Sequence, residues 1–292
     1  MCRVGGNEKQ LARNQVSERE HRKMSSQKIG FIGLGDMGLP MATRLLNHQW
    51  PVTSCANKNR VAINQLLDLG ISEVATPSEV GDASDIVITM VRDARQTEQV
   101  IYGPDGVLAG MREGTVLIIM STLSPGDCRE IAARAAGQGV SVLDSPVSGL
   151  PQRARQGTLA LMVGGDAETL EHCREVLETM GKIFPCGGVG TGTVAKLANN
   201  AVLMGTMTLL VEARAFASSH DMPPENLMEI FANSTANSFP VQNWDAFEAN
   251  WDHYMTLLIK DVGLCLEAAG NKEISMPLTD AAIQFRANQT RG

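Results

Sequence analysis

No two of the six cysteines form a CxxC pair, and none clusters with the five histidines. That pattern argues against a metal centre and against a disulfide framework. Scattered reduced thiols at Cys2, Cys55, Cys128, Cys173, Cys186 and Cys265 are what a cytoplasmic chain carries. An excess of positive charge is also missing. Lys and Arg total 25 against 32 Asp and Glu, a formal net charge of -7. Nucleic acid is therefore not expected as a partner, because a phosphate backbone demands a basic surface. A small anionic substrate remains compatible, since local groups decide its binding. Uninterrupted apolar runs of about 20 residues are absent too. The nearest, Val194 to Val211, is broken by Lys196, Asn199 and Asn200, so a buried helix is expected there and no membrane span. Residues 1–25 lack the apolar centre of a signal peptide. They carry Glu8, Glu18 and Glu20, which an Arg-rich transit peptide would lack. A disordered tail is expected, with Met24 as an alternative start. No internal repeat and no low-complexity stretch stands out.

What remains is an ordinary composition, 43% hydrophobic and 20% charged over 292 residues, enough for two domains or one large one. Short apolar runs alternate with helical patterns from residue 28 to about 185. Strands are expected at Lys28–Ile32, Val52–Ala56, Ile86–Met90, Val116–Met120, Ser141–Leu143, Leu159–Val163 and Ile183–Cys186. Helices are expected at Asp36–Asn47, Arg60–Leu69, Ala94–Ile101, Pro125–Gln138 and Ala167–Met180. Such alternation predicts a doubly wound parallel sheet, an α/β fold. Ser124-Pro125 and Thr76-Pro77 are helix starts, a capping side chain followed by proline at the first position. The glycine cluster Gly187 to Gly192 marks a boundary. Beyond it strand-like runs stop, and Thr193–Ser218, Pro223–Ala232, Tyr254–Ala269 and Pro277–Ala287 predict an all-α second half. The expected domains are 26–188 and 189–292. The first helix of the second domain is apolar nearly all round, which demands burial on every side and predicts a homodimer or homotetramer.

The chemistry begins at Gly33-Leu34-Gly35-Asp36-Met37-Gly38. This GxGxxG follows the apolar run Ile29 to Ile32 and precedes a helical pattern, the setting of a dinucleotide-binding Rossmann unit. The first glycine allows the turn, the second lets backbone approach a pyrophosphate, and the third lets helix and strand pack closely. The new helix points its N-terminal amides at the phosphates. An NAD-preferring unit usually places a carboxylate at the end of the second strand. Here that stretch reads Ala56-Asn57-Lys58-Asn59-Arg60. Asn57 can donate a hydrogen bond, and Lys58 or Arg60 can neutralise a 2′-phosphate. NADP is therefore favoured, with NAD as the alternative.

Lys196 and Asn200 lie four residues apart on the long apolar helix, a spacing that puts both on one face. An ammonium there must reach water, a partner or a ligand. A buried lysine with a lowered pKa can exchange the proton that alcohol oxidation releases.

Four ordered motifs then match a known family. They are Gly30 to Ala42; Asp144-Ser145-Pro146-Val147-Ser148-Gly149 with Gly157-Thr158-Leu159; Gly190 to Asn200; and Lys260-Asp261-Val262-Gly263-Leu264. Together they resemble the β-hydroxyacid dehydrogenases, the family of 3-hydroxyisobutyrate dehydrogenase and the glyoxylate/succinic semialdehyde reductases. The resemblance implies hydride transfer between a nicotinamide and a small β-hydroxy acid or its aldehyde acid. It implies Lys196 as the catalytic acid/base, with Ser148, Gly149 and Asn200 binding the substrate carboxylic acid. It also implies Val91, Thr122 and Lys260 near the cofactor, alongside Gly33 to Gly38. Departures are Leu150 and Arg153 where the family usually has glycine, Arg92 where it often has proline, and an end at Gly292, for which a less well anchored last helix is expected. Arg153 either binds a second anionic group or faces solvent. Rival readings are an imine reductase, which typically lacks the lysine; 6-phosphogluconate dehydrogenase, whose helical domain is longer; and a non-catalytic dinucleotide-binding scaffold or sensor.

Overall fold

The computed structural model describes residues 27–57 and 59–289, with side chains to 285. Both the expected N-terminal tail and Lys58 lie outside the described residues. Two compact units divide between Thr193 and Val194.

The first unit alternates strands and helices. In chain order these are β1 (Ile29–Ile32), α1 (Gly38–Asn47), β2 (Val52–Cys55), α2 (Val61–Leu67), β3 (Ser72–Val74), α3 (Pro77–Asp82), β4 (Ile86–Thr89), α4 (Ala94–Tyr102), α5 (Val107–Gly110), β5 (Val116–Ile119), α6 (Pro125–Ala136), β6 (Ser141–Asp144), β7 (Val147–Ser148), α7 (Leu150–Gln156), β8 (Leu159–Gly164), α8 (Ala167–Met180) and β9 (Gly181–Gly187). The sheet order is β3-β2-β1-β4-β5-β6-β8-β7, with β9 paired to β8. From β3 to β6 every pairing is parallel. The expected parallel sheet is thus mostly realised. The difference is at one edge, where β8 runs antiparallel to β6 and β7.

Side-chain alternation explains why helices cover both faces. Ile29, Phe31, Ile86, Ile88 and Ile118 pack on one side with Met41, Leu45 and Val176. Ile32, Val87, Leu117 and Ile119 pack on the other with Val80, Ile101 and Ile131. Strands buried on both faces read as continuous apolar runs. The chain runs outward from β1 to β3, then returns to β4 beside β1. The crevice at their carboxyl ends is therefore the topological switch point, where ligands of such sheets bind.

The second unit is helical. It holds most of α9 (Thr191–Ser218), then α10 (Pro224–Ala232), α11 (Phe239–Gln242), α12 (Trp244–Ala249), α13 (Trp251–Gly270) and α14 (Pro277–Gln289). One core joins Leu197 and Ala201 to Cys265; another joins Leu210 to Val241 and Trp244. Within the single chain, burial of α9 is one-sided, where the sequence led to an expectation of burial on every side with help from a partner subunit. Leu197, Ala201, Met204, Met207 and Leu210 are buried, while Val202, Leu209 and Phe216 are 71%, 64% and 68% exposed. By length and composition alone α9 could cross a membrane.

Candidate active site

The glycine loop has a stereochemical signature. Gly33 has φ +101°, and a Cβ there would overlap the carbonyl oxygen of Met90 in the loop after β4. A Cβ on Gly38 would overlap the carbonyl oxygen of Gly33. Gly35 is different: a Cβ would have no neighbour within 4 Å. Two glycines therefore pack protein against protein, while the middle one borders open space, the room a pyrophosphate needs. The start of α1 fits an anion as well. The Met37 side chain caps nothing, and the first turn holds no acidic residue. By contrast α3, α4, α6 and α8 are capped by Thr76, Asp93, Ser124 and Asp166. The residues present thus fit a dinucleotide phosphate at this terminus.

The loops after β4 and β5 join this crevice. The Val91 N–H donates to Ser121 Oγ at 2.9 Å, and the Val91 side chain lies against Gly33. Val91 and the Ser121-Thr122 pair thus come together beside the glycine loop. Just past the end of β2, Arg60 is exposed at the surface. Its guanidinium makes a two-pronged bond to Glu73, at 2.7 and 2.9 Å.

Ser148 ends β7 and pairs with Ala160 of β8. Gly149 follows at φ +143°, then Leu150 at φ +64°. A bulky residue in that left-handed region is strained, and such strain gathers at functional turns. The Arg153 stem lies over Gly149: a Cβ there would stand 2.7 Å from Arg153 Cδ.

In the second unit, α9 and α13 bring five polar residues together within apolar helices: Lys196, Asn199, Asn200, Lys260 and Asp261. Asn200, nearly fully buried, donates from Nδ2 to Asp261 Oδ2 at 2.8 Å and accepts from Asn199 at 3.0 Å. Lys260 Nζ pairs with Asp261 Oδ1 at 2.8 Å. Burial pushes the Lys196 amine below the ordinary lysine range; the Asp261 charge opposes this and the Lys260 charge reinforces it. Asp261 is the residue that sequence reasoning passed over as a site member. Its signal was a carboxylate inside the apolar run Met255 to Leu266.

Comparison with known proteins identifies the family. Residues 28–192 match the family model for the NAD binding domain of 6-phosphogluconate dehydrogenase. Residues 190–291 match the model described as NAD-binding of NADP-dependent 3-hydroxyisobutyrate dehydrogenase. The chain belongs to the β-hydroxyacid dehydrogenase family. The 2-(hydroxymethyl)glutarate dehydrogenase of Eubacterium barkeri is 35% identical over 89% of this chain and 88% of its own length. The NAD-dependent L-serine dehydrogenase of Pseudomonas aeruginosa is 35% identical over 89% of this chain and 91% of its own. The solved Mycobacterium tuberculosis 3-hydroxyisobutyrate dehydrogenase with L-serine superposes with TM-score 0.79 at 30% identity, covering 91% of this chain and 94% of that one. This β-hydroxyacid dehydrogenase is an NAD(P)-dependent oxidoreductase acting on the CH–OH group of small hydroxy acids.

Proposed function

We propose that the chain interconverts a small β-hydroxy acid and its aldehyde acid with NADP(H), and that Lys196 exchanges the proton. The carrying observation is the Lys196 amine, held below its usual pKa beside Asp261 and Lys260. When bound, the nicotinamide supplies or takes up the hydride. In oxidation, neutral Lys196 accepts the substrate hydroxyl proton; in reduction, its ammonium returns one. Asp261 offsets part of the burial that disfavours the ammonium, and Lys260 tempers that charge. Asn200 holds Asp261 in place and offers its amide to the substrate. Ser148 and Gly149 receive the substrate carboxylate through a hydroxyl and exposed backbone, and Val91, Thr122 and Lys260 border the nicotinamide end.

The preference for NADP rests on residues 56–60, which hold no carboxylate to meet a 2′-hydroxyl. With Arg60 engaged by Glu73, Asn57 and Lys58 are the donors assigned to the 2′-phosphate. Residues 26–188 are assigned to the dinucleotide and residues 189–292 to substrate and self-association, with the exposed Val202, Leu209 and Phe216 as the contact between copies. A cytoplasmic setting agrees with the free thiols of Cys55, Cys128, Cys173, Cys186 and Cys265.

The test is Lys196→Ala, assayed with NADPH and NADH across glyoxylate, succinic semialdehyde, 3-hydroxyisobutyrate, threonate and a sulfonate analogue. Loss of an acid/base group costs about 10²- to 10⁴-fold in turnover, and dinucleotide binding should survive. Normal turnover in this variant would remove Lys196 from the mechanism.

A further inference from the structure

Asp144 ends β6, the strand that leads into the Ser148-Gly149 turn, and it is fully buried. A buried carboxylate needs donors. Both are backbone amides at the start of α9. The Gly190 N–H donates to Oδ1 at 2.6 Å and the Thr193 N–H to Oδ2 at 2.7 Å. The surroundings are shaped to the carboxylate. A Cβ on Gly164 would overlap Oδ1, and one on Gly192 would lie 2.9 Å from Oδ2. The negative charge also meets the positive end of a 28-residue helix. Lys196 follows Thr193 by three residues, less than one turn.

We propose that Asp144 is a positioning residue for Lys196: its two-pronged grip sets the place and rotation of the first turn of α9 and so aims the amine carried on the next. This rests on the assignment of Lys196 to proton transfer. The caps of α6 and α8 are local, from Ser124 and Asp166 directly before each helix. The cap of α9 comes instead from a strand 46 to 49 residues away, the strand that also feeds the substrate turn. One bond would leave the helix free to rotate about it; a bond to each oxygen does not.

The grip requires the ionised carboxylate, because a proton on either oxygen would set an O–H against an N–H. Burial raises the Asp144 carboxyl to about 6, while the bonds from Gly190 and Thr193 pull it down. The groups facing this corner come from α6 and β9. Cys128, between Asp127 and Arg129, sits 3.6 Å from Thr193 Oγ1, and burial pushes its thiol up to about 12. Burial also raises Cys186. Both thiols stay neutral where Asp144 titrates.

The experiment compares Asp144→Asn with wild type and Lys196→Ala in the full chain. Asn keeps the shape but turns one acceptor into a donor. Turnover number should fall about 10- to 100-fold, as expected for a misplaced catalytic group. The NADPH dissociation constant should stay unchanged, KM should rise by less than turnover falls because Asn200 rides on the same helix, and amide exchange at Gly190 and Thr193 should accelerate. In wild type those two amides should lose protection as pH falls through about 6. Wild-type turnover in Asp144→Asn overturns the proposal, as does a turnover loss matched by lost NADPH affinity. If that variant does not fold, the wild-type exchange data decide: absence of protection at both amides at about pH 8, where the carboxylate is ionised, overturns it. Retained turnover in Lys196→Ala instead removes the catalytic assignment, while the exchange result still judges the anchor.

Discussion

Three glycines of one motif do three separable jobs, and single methyl groups can tell them apart. At Gly35 an added Cβ meets nothing within 4 Å, so Gly35→Ala should fold with an unchanged melting temperature. It should bind NADPH at least about tenfold more weakly, a loss of about 1.4 kcal/mol, because the methyl occupies the space a phosphate needs. At Gly38 the Cβ would strike the Gly33 carbonyl oxygen. Gly38→Ala should therefore lose both binding and stability, by about 1–3 kcal/mol from overpacking. Calorimetry beside fluorescence titration reads both variants. Equal melting losses in the two would mean that Gly35 is structural. Asn57 offers a second residue-scale test. Asn57→Asp places a carboxylate at the end of β2, so kcat/KM should fall with NADPH and rise with NADH. An unchanged ratio would move 2′-phosphate recognition elsewhere.

Among the elements, the start of α9 depends most on a distant partner. Its capping carboxylate, Asp144, has a pKa raised from 3.8 to about 6 by burial. The folded chain therefore holds this proton over a pH range in which the unfolded chain has released it. By linkage, the contribution of this group to stability is largest below 3.8 and falls as pH rises to about 6. The loss is about 3 kcal/mol in all, at about 1.4 kcal/mol per unit. Global stability and local order of the helix start thus move oppositely with pH. The wild-type minus Asp144→Asn difference in unfolding free energy, measured from urea midpoints, should decline over that interval and level off above it. A flat difference would show that the two amide bonds fully offset burial. Local signals suffice for other helices. Ser124 caps α6 in a capping box with Asp127, with Pro125 at its first position, and Thr76 caps α3 before Pro77. Those starts are written within a few residues.

At the level of the whole molecule, the exposed apolar row on α9 is the feature least at home in a single chain. Val202, Leu209 and Phe216 recur at sevenfold spacing and stay more than 60% exposed. Exposed apolar surface of this kind marks interaction sites. Sedimentation velocity should give a dimer or tetramer for wild type, and Leu209→Glu with Phe216→Glu should shift it to smaller species. A monomeric wild type at micromolar concentration would end the assembly reading.

The difference between what could be read early and what could not follows the range of the forces involved. The glycine loop, the alternation of strand and helix, the capped helix starts and the lysine–asparagine spacing are local patterns. Backbone sterics and side-chain periodicity act within one or two turns, so the sequence by itself determined them. The short elements β3, β7, α11 and α12 lack enough residues for a period to emerge, and the antiparallel edge at β8 depends on pairing with distant strands. Asp261 became a site residue only through its bond to Asn200, 61 positions away, and Asp144 only through amides beyond residue 189. Likewise only the fold pairs Arg60 with Glu73 on the neighbouring strand. Burial and charge pairing are properties of surroundings, and the tertiary structure alone decided which carboxylate each amine and amide would meet.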